Sequence, residues 1–129
     1  TVLTPHPGEA AEMLQTTVKE VQKNRIKSAK ELQKKYGCII VLKGNGTIVC
    51  DKNNVYLCSS GGPELAVAGS GDVLSGVIGS LMAQGLAPID AAITGVGIHA
   101  QAGEEFAKDV GKIGLAAGEL IPYIRKFLN

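Results

Sequence analysis

Apolar and polar residues fall in blocks along the first sixty positions, and each block has its own period. Val2 and Leu3 end a short apolar run that Pro5 and Pro7 stop. Pro7 suits the first turn of a helix, which Ala10, Ala11 and Leu14 continue. A long helix is predicted from Thr17, because Thr17 and Glu20 have the spacing of a capping box. Its apolar stripe is Val18, Val21, Ala29, Leu32 and Tyr36, close to a period of 3.6. Lys19, Lys23, Arg25, Lys27, Lys30, Lys34 and Lys35 fall on the other face, which reads as solvated charge. Gly37 closes the helix as a natural C-terminal cap.

The pattern then changes. Cys38-Ile39-Ile40-Val41-Leu42 is short and continuously apolar, as expected of a strand covered on both faces. After a turn at Lys43-Gly44-Asn45-Gly46, the runs Thr47–Cys50 and Val55–Cys58 predict two strands joined by the polar turn Asp51–Asn54. A loop at Ser59–Pro63 follows. The remainder reads as helices: about 70–84, closed by Gly85; Pro88 to about 108; and about 118–127. Gly95, Gly97 and Gly103 within the second of these cost about 1 kcal/mol each relative to Ala, tolerable where a helix packs very closely on its neighbour. The class is α/β. The strands are few for a parallel sheet and leave an open edge, so residues 1–129 read as a single partial domain, the C-terminal half of a larger one.

Composition narrows the partners. A length of 129 residues allows one domain with a real core. A formal net charge of +1 gives no basis for nucleic-acid binding driven by bulk charge. The absence of Trp and the scarcity of aromatics argue against a base-stacking surface. No apolar run approaches the roughly eighteen residues of a membrane-spanning helix, so no membrane association is expected. The start at Thr1, without Met or a signal-peptide pattern, suits a processed chain or a piece of a longer one. Cys38, Cys50 and Cys58 form no C-x-x-C pair and read as free buried thiols in a reducing, cytoplasmic compartment.

Three places carry candidate chemistry. In Ala68-Gly69-Ser70-Gly71-Asp72-Val73-Leu74-Ser75-Gly76, the glycines allow close backbone approach to a ligand, and the helix start that follows favours a phosphate. Asp72 is either a helix-dipole partner, a group that accepts a proton from a hydroxyl, or a carboxylate for Mg²⁺. The spacing is neither G-x-G-x-x-G nor that of a P-loop. Lys43, Gly44, Asn45, Gly46 and Thr47 follow a buried-type strand, where open α/β sheets bind ligands; a hairpin turn with a surface Lys is the plainer alternative. His6, held between prolines at another strand end, is either an exposed structural residue or a substrate contact. His99, inside the Gly-rich helix, reads as packing, and Glu104 and Glu105 as surface charge.

Taken together, Thr4-Pro5-His6-Pro7-Gly8-Glu9, Val41-Leu42-Lys43-Gly44-Asn45-Gly46-Thr47 and the segment Ala68–Gly76 resemble the ADP/ATP-dependent NAD(P)H-hydrate dehydratases of the ribokinase-like superfamily, across essentially the whole chain. The resemblance implies a three-layer α/β/α fold and a lyase that repairs NADHX or NADPHX to NADH or NADPH, coupled to hydrolysis of ADP or ATP with Mg²⁺. On that pattern His6 and Asp72 contact the hydrate, and Asp72 is the catalytic base. Lys43, Gly44, Asn45, Gly46, Thr47, Gly69, Ser70 and Gly71 hold the adenine nucleotide, and no residue is assigned as a metal ligand. The resemblance also implies a homo-oligomer, tetrameric in many members, and a fused epimerase domain in bacterial ones. Gly61-Gly62-Pro63-Glu64-Leu65 departs from the Asn-Pro-Gly run of many members. A small-molecule kinase of the same superfamily, of the hydroxyethylthiazole type, and a non-catalytic nucleotide-binding module are the competing readings.

Overall fold

The computed structural model describes residues 1–44, 46–58, 70–109, 121–122 and 124–125. The chain divides into two compact units, Thr1–Cys58 and Ser59–Asn129. The predicted loop at Ser59–Pro63 and most of the last predicted helix lie outside the described residues, although residues 121–122 and 124–125 are helical.

In the first unit, β1 (Val2–Leu3) pairs in parallel with β2 (Ile39–Leu42), with Val2 opposite Ile39 and Leu3 opposite Ile40. Parallel strands need a long crossover. Here it consists of three helices: α1 (Pro7–Leu14), α2 (Val18–Lys23) and α3 (Arg25–Tyr36). The strands β3 (Ile48–Cys50) and β4 (Val55–Leu57) then continue antiparallel, completing a four-stranded sheet in the order β1-β2-β3-β4. The Asp51 carboxylate shapes their turn by accepting from the backbone N–H groups of Asn53 (2.9 Å) and Asn54 (2.6 Å).

The period-2 rule of a strand sorts the core. Ile40 and Leu42 share one sheet face with Ile48 and Cys50, and these pack with Ala10, Ala11, Val21, Ala29 and Leu32 from the helices. Val41 and Val49, on the alternate face, are buried as well. The small alanines let α1 and α3 lie close to the sheet, and Leu32 fills the space between. Cys50 is buried, while Cys38 and Cys58 are half-buried, against the expectation of three buried thiols.

The single long helix expected from Thr17 to Tyr36 is in fact two. Asn24, at φ −132° and ψ 58°, is the C-cap of α2 and the N-cap of α3 at once. Its N–H donates to the carbonyls of Glu20 and Val21, and its own carbonyl accepts from Ser28 N–H. The break turns the stripe: Val21, Ala29 and Leu32 are buried, but Val18 and Tyr36 are exposed. Thr17 does cap α2, accepting from Glu20 N–H at 3.1 Å, and Gly37, at φ 66°, closes α3.

The second unit contains α4 (Ser70–Ala83) and α5 (Pro88–Asp109), joined by a short turn. Gly85, at φ +101°, makes the turn, and Leu86 N–H returns to Leu81 O. On α4, Leu74, Val77, Ile78 and Leu81 are buried at i, i+3, i+4 and i+7. A side chain at Gly95 would meet Ile78 Cγ1 at 2.7 Å, so glycine there sets how closely α5 approaches α4. Gly97, expected to serve the same purpose, has nothing within 4 Å of its would-be Cβ. His99 is buried on α5, in line with a packing residue.

Gly97→Ala should therefore stabilise the protein by about 0.5–1 kcal/mol, whereas Gly95→Ala should cost about 1–3 kcal/mol through overpacking. Denaturant titration of both variants checks the pair, and equal shifts would contradict the packing described. The Cys50 thiol has a second expectation. Burial pushes its pKa up, Asp51 adds to the rise, and Lys30 partly opposes it. A raised pKa lowers the thiolate fraction at neutral pH. Cys50 should stay unalkylated by iodoacetamide in the native protein and react once denaturant is added, as read by peptide mass mapping.

Candidate functional site

Because β1 and β2 are parallel, the segments leaving their carboxyl ends emerge at the same sheet edge. One backbone bond joins them: Lys43 N–H donates to Pro5 O at 2.9 Å. The segment around His6 and the turn at 43–47 are thus neighbours by construction.

His6 is the N-cap of α1. Its Nδ1 accepts from Glu9 N–H at 3.1 Å, and Glu9 Oε1 accepts from His6 N–H at 3.0 Å. This reciprocal pair is a capping box made with a histidine. The ring lies over Gly8, where a Cβ would come within 2.9 Å of His6 Cε1. An imidazole that accepts at Nδ1 carries its proton at Nε2. That nitrogen lies 3.4 Å from Glu9 Oε1, and 59% of the side chain is exposed.

The 43–47 turn is held from below by Arg25. Its Nη2 donates to Gly46 O at 2.9 Å, Leu42 O at 3.4 Å and Lys43 O at 3.5 Å. Nη1 donates to Gln22 Oε1 at 2.7 Å and approaches Lys43 O at 3.5 Å. Arg25 is half-buried, not on the solvated basic face where it was expected, because it stands four residues from both Val21 and Ala29 and so falls on the apolar side of the helical repeat. Burial lowers its pKa, and a guanidinium stays charged at neutral pH regardless. Gly44 is doubly required: its φ is +141°, and a Cβ would sit 2.8 Å from Arg25 Nη1. Thr47 Oγ1 donates to Gly44 O at 3.4 Å, and Thr47 O accepts from Cys58 N–H at 2.9 Å. Lys43 is half-buried, and Asn45 lies outside the described residues.

The glycine turn belongs to the second unit. Gly69 lies outside the described residues; Ser70 opens α4, Gly71 is half-buried, and Asp72 is exposed in the first turn. That placement suits either a helix-dipole partner or a reacting carboxylate. Among the described residues, no group of three or more His, Cys, Asp or Glu converges as a metal site. A groove of about 750 Å³ along α2 and α3 is lined by Lys23, Lys27, Lys30 and Lys34. These are exposed side chains on flexible stems, so the groove is a solvated charged surface.

A family profile described as NAD(P)H-hydrate dehydratase matches residues 1–126. The chain belongs to the NAD(P)H-hydrate dehydratase family. It is 44% identical over 99% of its length to the bifunctional NAD(P)H-hydrate repair enzyme Nnr of Coxiella burnetii, covering 26% of that protein. It is 43% identical to the ADP-dependent (S)-NAD(P)H-hydrate dehydratase of Neisseria meningitidis, covering 99% of this chain and 44% of that one. Among solved structures, the ADP/ATP-dependent NAD(P)H-hydrate dehydratase of Bacillus subtilis, crystallised with ATP and Mg²⁺, superposes with a TM-score of 0.93 at 33% identity. That match covers 98% of this chain and 47% of that one. A ribokinase-like superfamily protein of Enterococcus faecalis matches with a TM-score of 0.79 at 27% identity, over 98% of this chain and 44% of that one. The fold of this dehydratase-family chain is therefore ribokinase-like α/β. The chain spans about a quarter of the bifunctional relative and under half of the others.

Sequence reasoning missed two members of the site region, Arg25 and Glu9. The signals were present: Glu9 follows His6 at capping-box spacing, and Arg25 stands four residues from both Val21 and Ala29 on the apolar stripe. The His6 cap can be tested directly. His6→Asn should hold stability near wild type because Asn caps well, while His6→Ala should lose about 1 kcal/mol in denaturant unfolding. Equal losses would mean that ring packing over Gly8, and not the cap, supplies the stabilisation.

Proposed function

We propose that this chain is the C-terminal half of an ADP/ATP-dependent NAD(P)H-hydrate dehydratase domain, a lyase that restores NADH or NADPH from NADHX or NADPHX. The observation that carries the reading, beyond family membership, is the Lys43–Pro5 backbone bond, which gathers His6 and the 43–47 turn at one sheet edge. Carboxyl ends of strands are where open α/β sheets bind ligands.

In this mechanism Asp72 accepts the proton of the hydroxyl on the hydrated nicotinamide ring. The hydroxyl oxygen attacks the terminal phosphorus of ADP or ATP, and the bond to the bridging oxygen breaks, releasing AMP or ADP. The ring C–O bond then breaks with phosphate as the leaving group, and the neighbouring carbon gives up a proton to form the double bond. Phosphorylation matters because hydroxide is a poor leaving group and phosphate a good one. The backbone of the Lys43–Thr47 turn and of Gly69, Ser70 and Gly71 holds the nucleotide and steadies charge on the transferred group. His6, whose side chain is exposed beside Glu9, donates to the hydrate through Nε2–H.

Mg²⁺ fits a site without a protein cage, since it commonly binds through one or two carboxylates plus phosphates and water. With Asp72 taken as the base, the nucleotide's phosphates and water would hold the ion. When bound, the ion would supply positive charge that offsets that of the phosphates. The same reading includes a cytoplasmic location, supported by three free thiols. Among the described residues, no helix is long and apolar enough to cross a membrane. The reading also includes a fused epimerase domain, supported by the bifunctional relatives, and a homo-oligomer of tetramer type. The exposed apolar residues Tyr56 and Leu57 on β4 favour association.

The test uses the full-length protein with NADHX, Mg²⁺ and either ADP or ATP, following NADH absorbance. Recovery with at least one nucleotide is expected, and no recovery with either would sink the proposal. Asp72→Asn should lower kcat by about 10²–10⁴-fold while nucleotide affinity stays within about threefold, equivalent to under 1 kcal/mol. Near-wild-type turnover would remove Asp72 from the role of base.

A further inference from the structure

We propose that Arg25 is a positioning residue that sets the phosphate-facing surface of the 43–47 turn by gathering the carbonyls of Leu42, Lys43 and Gly46 around one guanidinium. The inference rests on the nucleotide-site reading of that turn. Its basis is the rigidity of the peptide unit. In a trans peptide the C=O of one residue and the N–H of the next point in opposite directions, and the chain has no cis bonds. A carbonyl drawn toward Arg25 therefore sends the following N–H away from it.

One of the three cases can be checked directly. The Leu42 carbonyl faces Nη2, and the next N–H, that of Lys43, points away and donates to Pro5 O at 2.9 Å. By the same geometry, the Lys43 and Gly46 carbonyls direct the N–H groups of Gly44 and Thr47 to the side opposite Arg25. Backbone N–H groups turned to one side favour an anion there, and those of Gly44 and Thr47 are the two that Arg25 orients, since that of Lys43 is held by Pro5. Both Nη groups of Arg25 face backbone carbonyls and Gln22 Oε1.

Residue type follows from this. Three carbonyls and one amide oxygen spread around a planar group suit the guanidinium fork, whereas an ammonium presents its donors from a single point. Among the described residues, Arg25 makes no ion pair, so its charge is not cancelled locally and adds a positive field beneath the turn. Gly44 completes the fit, because any side chain there would displace the guanidinium.

The experiment compares Arg25→Lys and Arg25→Gln in the full-length enzyme, measuring kcat, KM for nucleotide, KM for NADHX and thermal stability. Arg25→Gln should raise the nucleotide KM by about tenfold or more, the scale of one lost charge-assisted contact, with the NADHX KM within about twofold. Arg25→Lys should recover less than half of that loss on a logarithmic scale. A purely structural role predicts lower stability and less active enzyme with both KM values unchanged, and that result would overturn the proposal. If wild type itself binds neither ADP nor ATP, the nucleotide-site reading falls and this inference falls with it. If wild type binds nucleotide and the variants match it, only the role of Arg25 is lost. Should Arg25→Gln fail to fold, Gly44→Ala carries the test: it should give the same selective rise in nucleotide KM, and an unchanged KM would overturn the proposal.

Discussion

Two adjacent parallel strands impose a condition that antiparallel ones do not: the chain must travel the length of the sheet before the second can begin. In the first unit this condition falls on β1 and β2, and the three helices between them are its consequence. It also places two exits at one sheet edge, and the Lys43–Pro5 bond closes the gap between them. A β1 of only two residues contributes little pairing of its own, so the helical layer that buries Leu32 and the alanines must supply most of what holds it. Core and site are thus coupled.

The break at Asn24 belongs to the same economy of layout. Arg25 stands four residues from both Val21 and Ala29, on the buried side of the helical repeat and away from most of the lysines. Ending α2 and starting again lets α3 bury Ala29 and Leu32 against the sheet while its first residue reaches back under the end of β2. Gln22, on the other side of the break, braces the guanidinium.

How much of this was readable beforehand depended on whether the signal was local. The strand at Ile39–Leu42, the hairpin and the helices opened by Pro7 and Pro88 follow from short-range patterns, and they stand within a residue or two of where those patterns put them. The helix break was not readable in the same way, because Asn24 lowers helix propensity only slightly and the apolar stripe runs straight through it. Val18 looked like core for the same reason, yet it is exposed. Gly95 and Gly97 are indistinguishable as letters, and only the position of Ile78 separates them. For the site, the turn at 43–47 and His6 were visible as motifs, but the clamp beneath them depends on Arg25, Leu42 and Gly46 meeting across a crossover. Periodicity carries no information about such a meeting.

The histidine at the start of α1 has a chemical consequence for whatever binds beside it. To cap the helix, the ring must present a lone pair at Nδ1, and this fixes Nε2 as a donor. A ligand oxygen that accepts there reinforces the tautomer the helix already requires. A ligand that donates there competes with the helix for the same proton arrangement and frays its first turn. The discrimination between acceptor and donor is thus drawn from the folding energy of a short helix, with Glu9 Oε1, 3.4 Å from Nε2, favouring the same tautomer.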